Sequence, residues 1–314
     1  MKYNDLRETG DATGCARISV EEEAGRVLAS GREILTRANQ QGYAVGAFNV
    51  NNMEQVQAVI SAAEQKMSPV ILQVTQSAIR YAGLLCLSDL VKSLAEKSFV
   101  PVVLHLDHGT TYDVIIQCIR SGFTSVMIDA SMFSLDENIK ETKEIVKVAH
   151  ACGVSVEAEL GEVSSARDGN VADGLGAGYG AMFTDPVQAE TFVNATGIDF
   201  LGVSIGNAHG KYKTPPCLNF ERLSEIKALV KIPLVLHGAS GIAQDDLKLA
   251  VKNGINKINI DTDLRQAFGD GLREVFSANP SECDVRKLCG RAREKMIEVV
   301  KEKINVCGST KMVL

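Results

Sequence analysis

A repeating alternation of short apolar runs with longer amphipathic stretches most constrains the fold of this chain. Continuous apolar strands require a parallel sheet that is covered on both faces. Eight strand-then-helix repeats predict an α/β fold, a (β/α)8 TIM barrel. A doubly wound open sheet is the competitor, but no GxGxxG motif follows the first strand. The predicted strands lie near 45–50, 69–74, 101–107, 125–129, 154–160, 199–205, 233–237 and 256–261, with helical patterns such as 53–66, 82–97, 134–151, 219–230 and 243–253 between them.

Three segments fall outside this alternation. Residues 1–27 are predicted to be an N-terminal extension, and residues 28–314 a single barrel domain. The stretch 284–306 reads as an extra amphipathic C-terminal helix beyond the barrel. The Gly-rich segment 164–181 has no periodicity and interrupts the step from the fifth strand to its helix. Such a long loop in a compact domain is usually functional or disordered.

Charge and composition exclude several classes of protein. The net charge is −6 and no basic block is present, so nucleic acid is not an expected partner. No run reaches the roughly 18 apolar residues of a membrane span, and the N-terminus lacks the apolar core of a signal peptide. The eight cysteines form no CxxC pair, which indicates reduced thiols. We therefore expect a cytoplasmic protein that binds neither nucleic acid nor membrane.

The histidines point to a metal. His108, His209 and His237 end three different predicted strands, and each precedes a glycine. In a barrel these strand ends converge on the face that carries the active site. A single histidine there would more often be a satisfied core or rim residue, but three suit a catalytic zinc with an open fourth position. His105 is not a predicted ligand, because it points to the other face of its strand or lies behind the ligands.

Carboxylates accompany the histidines. Asp107 adjoins His108 and is predicted to be a ligand or a general acid/base, with a purely structural role as the alternative. Glu157 and Glu159 alternate with apolar residues on the fifth strand, so they share one face. If that face is inward, Glu159 reaches the metal region. The alternative is a salt bridge inside the barrel.

Two loops indicate a phosphate site. GASG, 238–241, follows the seventh strand and NIDTD, 259–263, ends the eighth. The loops after these strands, together with a helix N-terminus, form the usual phosphate site of such barrels. Ser240 and Thr262 add hydroxyl donors. A metal, an acid/base and a phosphate pocket on one face suggest aldol cleavage or isomerisation of a sugar phosphate.

Several motifs, in order from about residue 30 to 308, resemble the class II, zinc-dependent ketose-bisphosphate aldolases, which include the fructose- and tagatose-bisphosphate enzymes. They are GYAVGAFNVNN, VPVVLHLDHG, SVMIDAS, VEAELG, IGNAHGKYK, PLVLHGASG, KINIDTDLR and KEKINVCGS. The resemblance implies zinc (Zn2+) on His108, His209 and His237, with Glu159 near an alternative metal position. Asp107 would accept the C4 hydroxyl proton. A monovalent cation, Na+ or K+, often assists the phosphate pocket in this family. The implied substrate- and phosphate-binding residues are Asn49, Thr75, Gly210, Lys213, Gly238, Ser240, Asn259, Asp261, Thr262 and Arg265.

The same resemblance predicts the reaction. NIDTD matches the fructose enzymes, with Asp261 and Arg265 placed to meet the sugar chain and its far phosphate, whereas tagatose relatives more often read like NVATE. We predict zinc-dependent, reversible cleavage of fructose 1,6-bisphosphate to dihydroxyacetone phosphate and glyceraldehyde 3-phosphate, a lyase reaction. KINVCGS resembles the tagatose group equally, so tagatose 1,6-bisphosphate or another phosphorylated ketose is the alternative substrate. A catalytically weak sugar-phosphate-binding paralogue and a metal hydrolase are the alternatives from other classes.

The remaining predictions concern assembly and the proton at C3. Arg286 matches an arginine that reaches a neighbouring subunit's site in relatives, which implies a homodimer or homotetramer. Relatives also carry a Glu in the loop after the fifth strand, in a stretch like Gly-Glu-Glu-Asp-Gly, and this Glu moves the C3 proton. Here SARDG places Arg167 at that position. The hypothesis is that Asp168 takes the catalytic role, with Glu162 as the alternative.

Overall fold

The protein folds as a closed barrel of eight parallel strands, each paired with its neighbours in chain order. The computed structural model describes residues 28–161, 163, 183–210, 212 and 216–313. The predicted (β/α)8 barrel is confirmed. The strands are β1 (Val45–Asn49), β2 (Val70–Thr75), β3 (Val102–Gly109), β4 (Ser125–Ile128), β5 (Ser155–Leu160), β6 (Phe200–Val203), β7 (Leu234–Leu236) and β8 (Ile255–Ile260).

The helices surround this barrel and extend it at both ends of the chain. The predicted extra C-terminal helix is present as α11, whereas α1 before the first strand and the short α3 after the second were not predicted. Helix α6 begins at a capping box, in which Ser134 and Glu137 satisfy each other's backbone N–H groups. The helices are α1 (Gly31–Gln41), α2 (Met53–Lys66), α3 (Gln76–Ala82), α4 (Leu84–Ala95), α5 (Tyr112–Arg120), α6 (Leu135–Ala151), α7 (Pro186–Thr196), α8 (Phe220–Leu229), α9 (Gln244–Lys252), α10 (Thr262–Ala278) and α11 (Val285–Cys307).

The apolar core has two parts, because successive strand residues face opposite sides of the sheet. The larger part lies between the barrel and its helices. The smaller part fills the N-terminal end of the barrel interior, where Ala47, Ile71 and Val235 pack with Leu35 of α1. This cluster closes the barrel below, so the functional groups lie at the opposite, C-terminal end.

Above this apolar layer the barrel interior is polar. His105, Glu157 and Lys257 lie there without solvent exposure. His105 shares the inward face with Asp107, two residues further along β3, so the option that it points to the other face is wrong. The remaining option, that it lies behind the ligands, agrees with its position.

Some predictions fall on residues that the structure does not describe. The extension 1–27, the Gly-rich segment 164–181 and the candidate residues Asp168 and Lys213 lie outside the described residues. The division into an extension and one barrel domain therefore stays a prediction. Within the described part of the chain, no helix has the length and apolar character needed to cross a membrane.

Candidate metal centre and substrate pocket

Four side chains converge at the C-terminal end of the barrel. His108, Glu159, His209 and His237 each place one ligand atom within 4.8 Å of the others. The imidazole rings of His108 and His237 have centroids 4.9 Å apart and stand at 84° to each other. His108 and His209 are similarly arranged, with centroids 4.8 Å apart and an angle of 76°. Edges rather than faces therefore meet, as they must where several ring nitrogens point at one centre.

Each of two histidines has its outer nitrogen occupied by a carboxylate. Nδ1 of His108 lies 2.7 Å from Oδ2 of Asp129, which leaves Nε2 directed inward. Nε2 of His237 lies 2.8 Å from Oε1 of Glu157, which leaves Nδ1 directed inward. The two inward nitrogens are 3.2 Å apart. Two nitrogens that face each other at this distance need a proton or a metal ion between or beside them.

The donor set fits a divalent metal. Oε2 of Glu159 is buried, has no hydrogen-bond partner among the described residues, and lies 3.4 Å from Nδ1 of His237. A buried carboxylate oxygen without a partner is costly, and a cation would compensate it. Burial lowers the pKa of His108, but Asp107, Asp129 and Glu159 outweigh it and raise that pKa to about 9. The carboxylates thus create a negative site that attracts positive charge, and three imidazoles with one carboxylate suit zinc.

The backbone of β3 is distorted where it delivers two consecutive residues to the site. In a regular strand Asp107 and His108 would face opposite sides. His108 instead has φ +50°, and the β3–β4 register shifts between Leu106 and Gly109. A Cβ on Gly109 would lie 2.6 Å from the carbonyl oxygen of Met127, so this position requires glycine. The sequence DHG encodes this distortion, and through it both side chains reach the cavity.

Asp107 is held as an ionised base. Its Oδ2 accepts a hydrogen bond of 2.7 Å from Nδ2 of Asn49, whose own Oδ1 accepts from Gln73 at 3.1 Å. Its Oδ1 is buried and meets no hydrogen-bond donor within the described part of the chain. Burial raises the pKa of Asp107, but positive charge on His108, Lys257 and His237 outweighs it and holds that pKa at about 2. One carboxylate oxygen is therefore anchored and the other is available to a ligand.

A cavity of about 630 Å³ opens in front of these residues. Most residues predicted from the sequence line it, and His237 and Glu159 lie buried at the centre of the ligand group beside it. The sequence did not single out Gln76, Ser77, Arg80 and Thr110. The lining residues are Asn49, Thr75, Gln76, Ser77, Arg80, Asp107, His108, Thr110, His209, Gly210, Gly238, Ser240, Asn259, Asp261, Thr262 and Arg265.

The part of the cavity at the end of β8 has open polar groups. Both polar atoms of the Asn259 amide are buried without a hydrogen-bond partner in the described structure. Asp261 pairs with Arg265 across 2.7 Å, and burial raises the pKa of Asp261 to about 6. Thr262 begins α10, whose N-terminal N–H groups favour an anion. This part can therefore hold a phosphate and a polar sugar chain.

Two other features lie outside this cavity. Arg286 is not among its lining residues in its own chain, and it is exposed and pairs with Asp284 at 2.9 Å. A larger groove of about 1140 Å³ lies between α10 and α11. Several of its charged side chains pair with each other, as Lys303 does with Asp263 at 2.7 Å. Neither feature brings metal donors together, so the chemistry belongs to the smaller cavity.

Comparisons with known proteins agree with this site. The family model described as "Fructose-bisphosphate aldolase class-II" matches residues 29–312. The fructose-bisphosphate aldolase of Thermus caldophilus is 44% identical over 306 residues, covering 90% of this chain and 99% of that protein. The fructose-bisphosphate aldolase of Helicobacter pylori (strain ATCC 700392 / 26695) is 42% identical over 307 residues, with 90% and 99% covered.

Solved structures agree as well. The crystal structure of the YdjI aldolase from Escherichia coli K12 superposes with a TM-score of 0.81 at 39% identity, covering 91% of this chain and 100% of that one. The barrel, the converging ligand group and the match over nearly the whole described chain lead to one assignment. The chain belongs to the class II fructose-bisphosphate aldolase family and is an aldolase, a carbon–carbon lyase.

Proposed function

We propose that this chain catalyses the zinc-dependent, reversible aldol cleavage of fructose 1,6-bisphosphate to dihydroxyacetone phosphate and glyceraldehyde 3-phosphate. One observation carries the proposal. The donors of His108, Glu159, His209 and His237 meet beside Asp107 at a cavity that also has open polar groups at a helix N-terminus. An aldolase for phosphorylated ketoses needs these three parts together, whereas a hydrolase would need a base that activates water and no phosphate pocket.

The proposed mechanism assigns the proton on the C4 hydroxyl to Asp107. A bound zinc would supply Lewis-acid stabilisation of the negative charge that develops on the substrate carbonyl oxygen. Oδ1 of Asp107 takes the hydroxyl proton as the C3–C4 bond breaks, and returns it in the condensation direction. Asn49 holds Oδ2 and thereby orients Oδ1. Asp168 is proposed to move the C3 proton, and Lys213 to assist the phosphate.

The charges of the cavity favour a bisphosphate. Ser240, Asn259 and Thr262 are proposed to hold the phosphate of the dihydroxyacetone half, with Gly210 and Gly238 allowing close approach and a Na+ or K+ ion assisting. Arg265 and Arg80 both line the cavity, and Arg80 has no ion-pair partner among the described residues. These two cations suit the second phosphate, and Thr75 lines the same cavity.

The function is tested by initial cleavage rates with fructose and tagatose 1,6-bisphosphates, before and after chelation and zinc add-back. We expect zinc-dependent cleavage that favours fructose. A preference for tagatose would make tagatose 1,6-bisphosphate the substrate in place of fructose 1,6-bisphosphate. No cleavage of either sugar by the zinc-loaded protein would overturn both sugar assignments, and would leave another phosphorylated ketose as the substrate or sugar-phosphate binding without cleavage.

The second phosphate is tested separately with Arg80→Met. We expect a loss in kcat/KM with fructose 1,6-bisphosphate and little change with fructose 1-phosphate, which lacks that group. Arg120→Met is the matched control, because Arg120 ends α5 and does not line the cavity. Equal losses with both sugars would show that Arg80 does not meet the second phosphate.

Assembly is part of the same proposal. We propose a homodimer or homotetramer in which Arg286 enters the site of a neighbouring subunit. Its side chain is 88% exposed at the start of α11, and the catalytic end also exposes Tyr81, Met132 and Phe133. Mixing Arg286→Ala with Asp107→Asn protein should restore activity in mixed oligomers, since one intact site forms. Absence of restoration in demonstrably mixed oligomers would refute it. Cytoplasmic localisation, which reduced cysteines suit, completes the proposal.

A further inference from the structure

A buried ion pair lies inside the barrel directly below the proposed metal centre. Oε2 of Glu157 lies 2.8 Å from Nζ of Lys257, and both side chains have no solvent exposure. Oε1 of the same carboxylate lies 2.8 Å from Nε2 of His237. Glu157 and Lys257 do not line the substrate cavity. They therefore contact a proposed metal ligand without reaching the substrate.

Stability does not account for this pair. A fully buried ion pair is often no better than apolar side chains of similar volume, because desolvation of both charges offsets their attraction. Barrel interiors are usually filled by branched apolar residues, as in the layer below. The neighbouring His105 is bonded to Ser125 through Nδ1 at 2.7 Å, and its Nε2 stays 3.6 Å from Glu157. Lys257 is thus the close cationic partner of this carboxylate in the described structure.

The pair has a consequence for the proton on His237. An ionised carboxylate only accepts hydrogen bonds, so Oε1 of Glu157 requires the proton of His237 to be on Nε2. Nδ1 then presents its lone pair to Nε2 of His108 and to Glu159. His108 shows the reverse arrangement, since Asp129 takes Nδ1 and leaves Nε2 inward. The two ligands would bind through different nitrogens, and a separate carboxylate sets each choice.

We propose that Lys257 and Glu157 are positioning residues of the metal centre, in which Lys257 holds the Glu157 carboxylate and Glu157 fixes His237 as an Nδ1 ligand. The inference rests on the metal centre proposed above. Neither residue touches substrate or the reacting atoms. Both act through His237, as outer carboxylates act on metal-bound histidines in general.

Glu157→Gln tests the proposal because it removes one of two acceptor oxygens while keeping the shape. The single amide oxygen then has two competing donors, Nζ of Lys257 and Nε2 of His237. The amide oxygen accepts from the Lys257 ammonium, because a charged donor forms the stronger hydrogen bond. The amide N–H2 turns to His237 and displaces its proton to Nδ1, where the metal should bind. We expect zinc affinity to fall about 10- to 100-fold, measured by competition with a chromophoric chelator.

The double variant Glu157→Gln with Lys257→Met provides the rescue. Without the ammonium, the amide oxygen is again free to accept from Nε2 of His237, so zinc affinity should recover most of the loss. The absorption spectrum of the cobalt-loaded protein should return with it. Lys303→Met is the matched control, because it removes a lysine ion pair with Asp263 on the outside of the barrel. It should leave both readouts unchanged.

Unchanged zinc affinity in Glu157→Gln, or a double variant that stays as weak as the single one, would overturn the proposal. If the variants do not fold, 15N-histidine NMR of the unaltered zinc-free protein shows which ring nitrogen of His237 carries the proton. A proton on Nε2 of His237 is expected, and a proton on Nδ1 would overturn it. None of these measurements uses substrate, so failure here is distinguishable from failure of the proposed reaction.

Discussion

The Asp261 carboxyl group has a higher pKa in the folded protein than in the unfolded chain. Replacing Asp261 by asparagine should therefore stabilise the fold at neutral pH. Its Oδ1 is buried and lacks a hydrogen-bond partner in the part of the chain that is described. Burial raises its pKa from 3.8 to about 6, with Asp107 adding to the rise and Arg265 opposing it. The amide introduced by Asp261→Asn would keep the shape and the contact with Arg265 but carry no charge.

The magnitude follows from proton linkage. Between pH 3.8 and about 6 the unfolded chain has already lost the proton of Asp261 while the folded protein still holds it, so stability falls as pH rises through this window. A shift of about two pH units corresponds to ~3 kcal/mol. One third of the side chain is exposed, so solvent screening reduces this value to about 1–2 kcal/mol.

Urea unfolding of the zinc-free protein at several pH values measures the effect. Asp261→Asn should be more stable than the unaltered protein at pH 7.5 by this amount, and the gain should shrink towards zero near pH 4. Asp270→Asn is the control, because Asp270 lies on the helix that follows Asp261, has a half-exposed side chain and pairs with Arg273. A gain that is equal at both pH values, or a loss at pH 7.5, would refute the reasoning. Weaker cleavage of fructose 1,6-bisphosphate should accompany the gain.

Three further outcomes are expected. Asp107→Asn should lower kcat for cleavage by about 10²–10⁴-fold. Exchange of the C3 proton of dihydroxyacetone phosphate, followed by NMR in D2O, should continue. Equal losses in cleavage and exchange would contradict the role of Asp107 at the C4 hydroxyl. Gly238→Ala should lower both the melting temperature and the zinc affinity, because its Cβ would lie 2.0 Å from the carbonyl oxygen of Ala208, the residue before His209. Gly197→Ala is the control: it has open space around it and should lower only the melting temperature. Zinc at 100 times its Kd should stabilise the protein by about 2.7 kcal/mol, and an EDTA-insensitive melting curve would argue against a metal site.

Much of the site could be predicted because strand ends in a parallel barrel share one face. His108 lies at the end of β3, and His209 and His237 follow β6 and β7, so their convergence on one face needed no knowledge of side-chain contacts. The loops at 238–241 and 259–263 follow the last two strands for the same reason. No sequence pattern indicated that Arg80 lines the cavity. It lies on α3, a short helix that was not predicted, and only the folded chain shows that this helix borders the cavity.

The sequence by itself determined the eight repeats, the barrel and the face on which chemistry occurs, because hydrophobic periodicity and strand order are local or nearly local properties. Tertiary structure alone decided which nitrogen of His108 and of His237 turns inward, and that Glu157 contacts Lys257 rather than the cavity. Those contacts join residues 80 and 100 positions apart on different strands. They depend on barrel register and on the distorted backbone at His108, and no short sequence pattern encodes such distances.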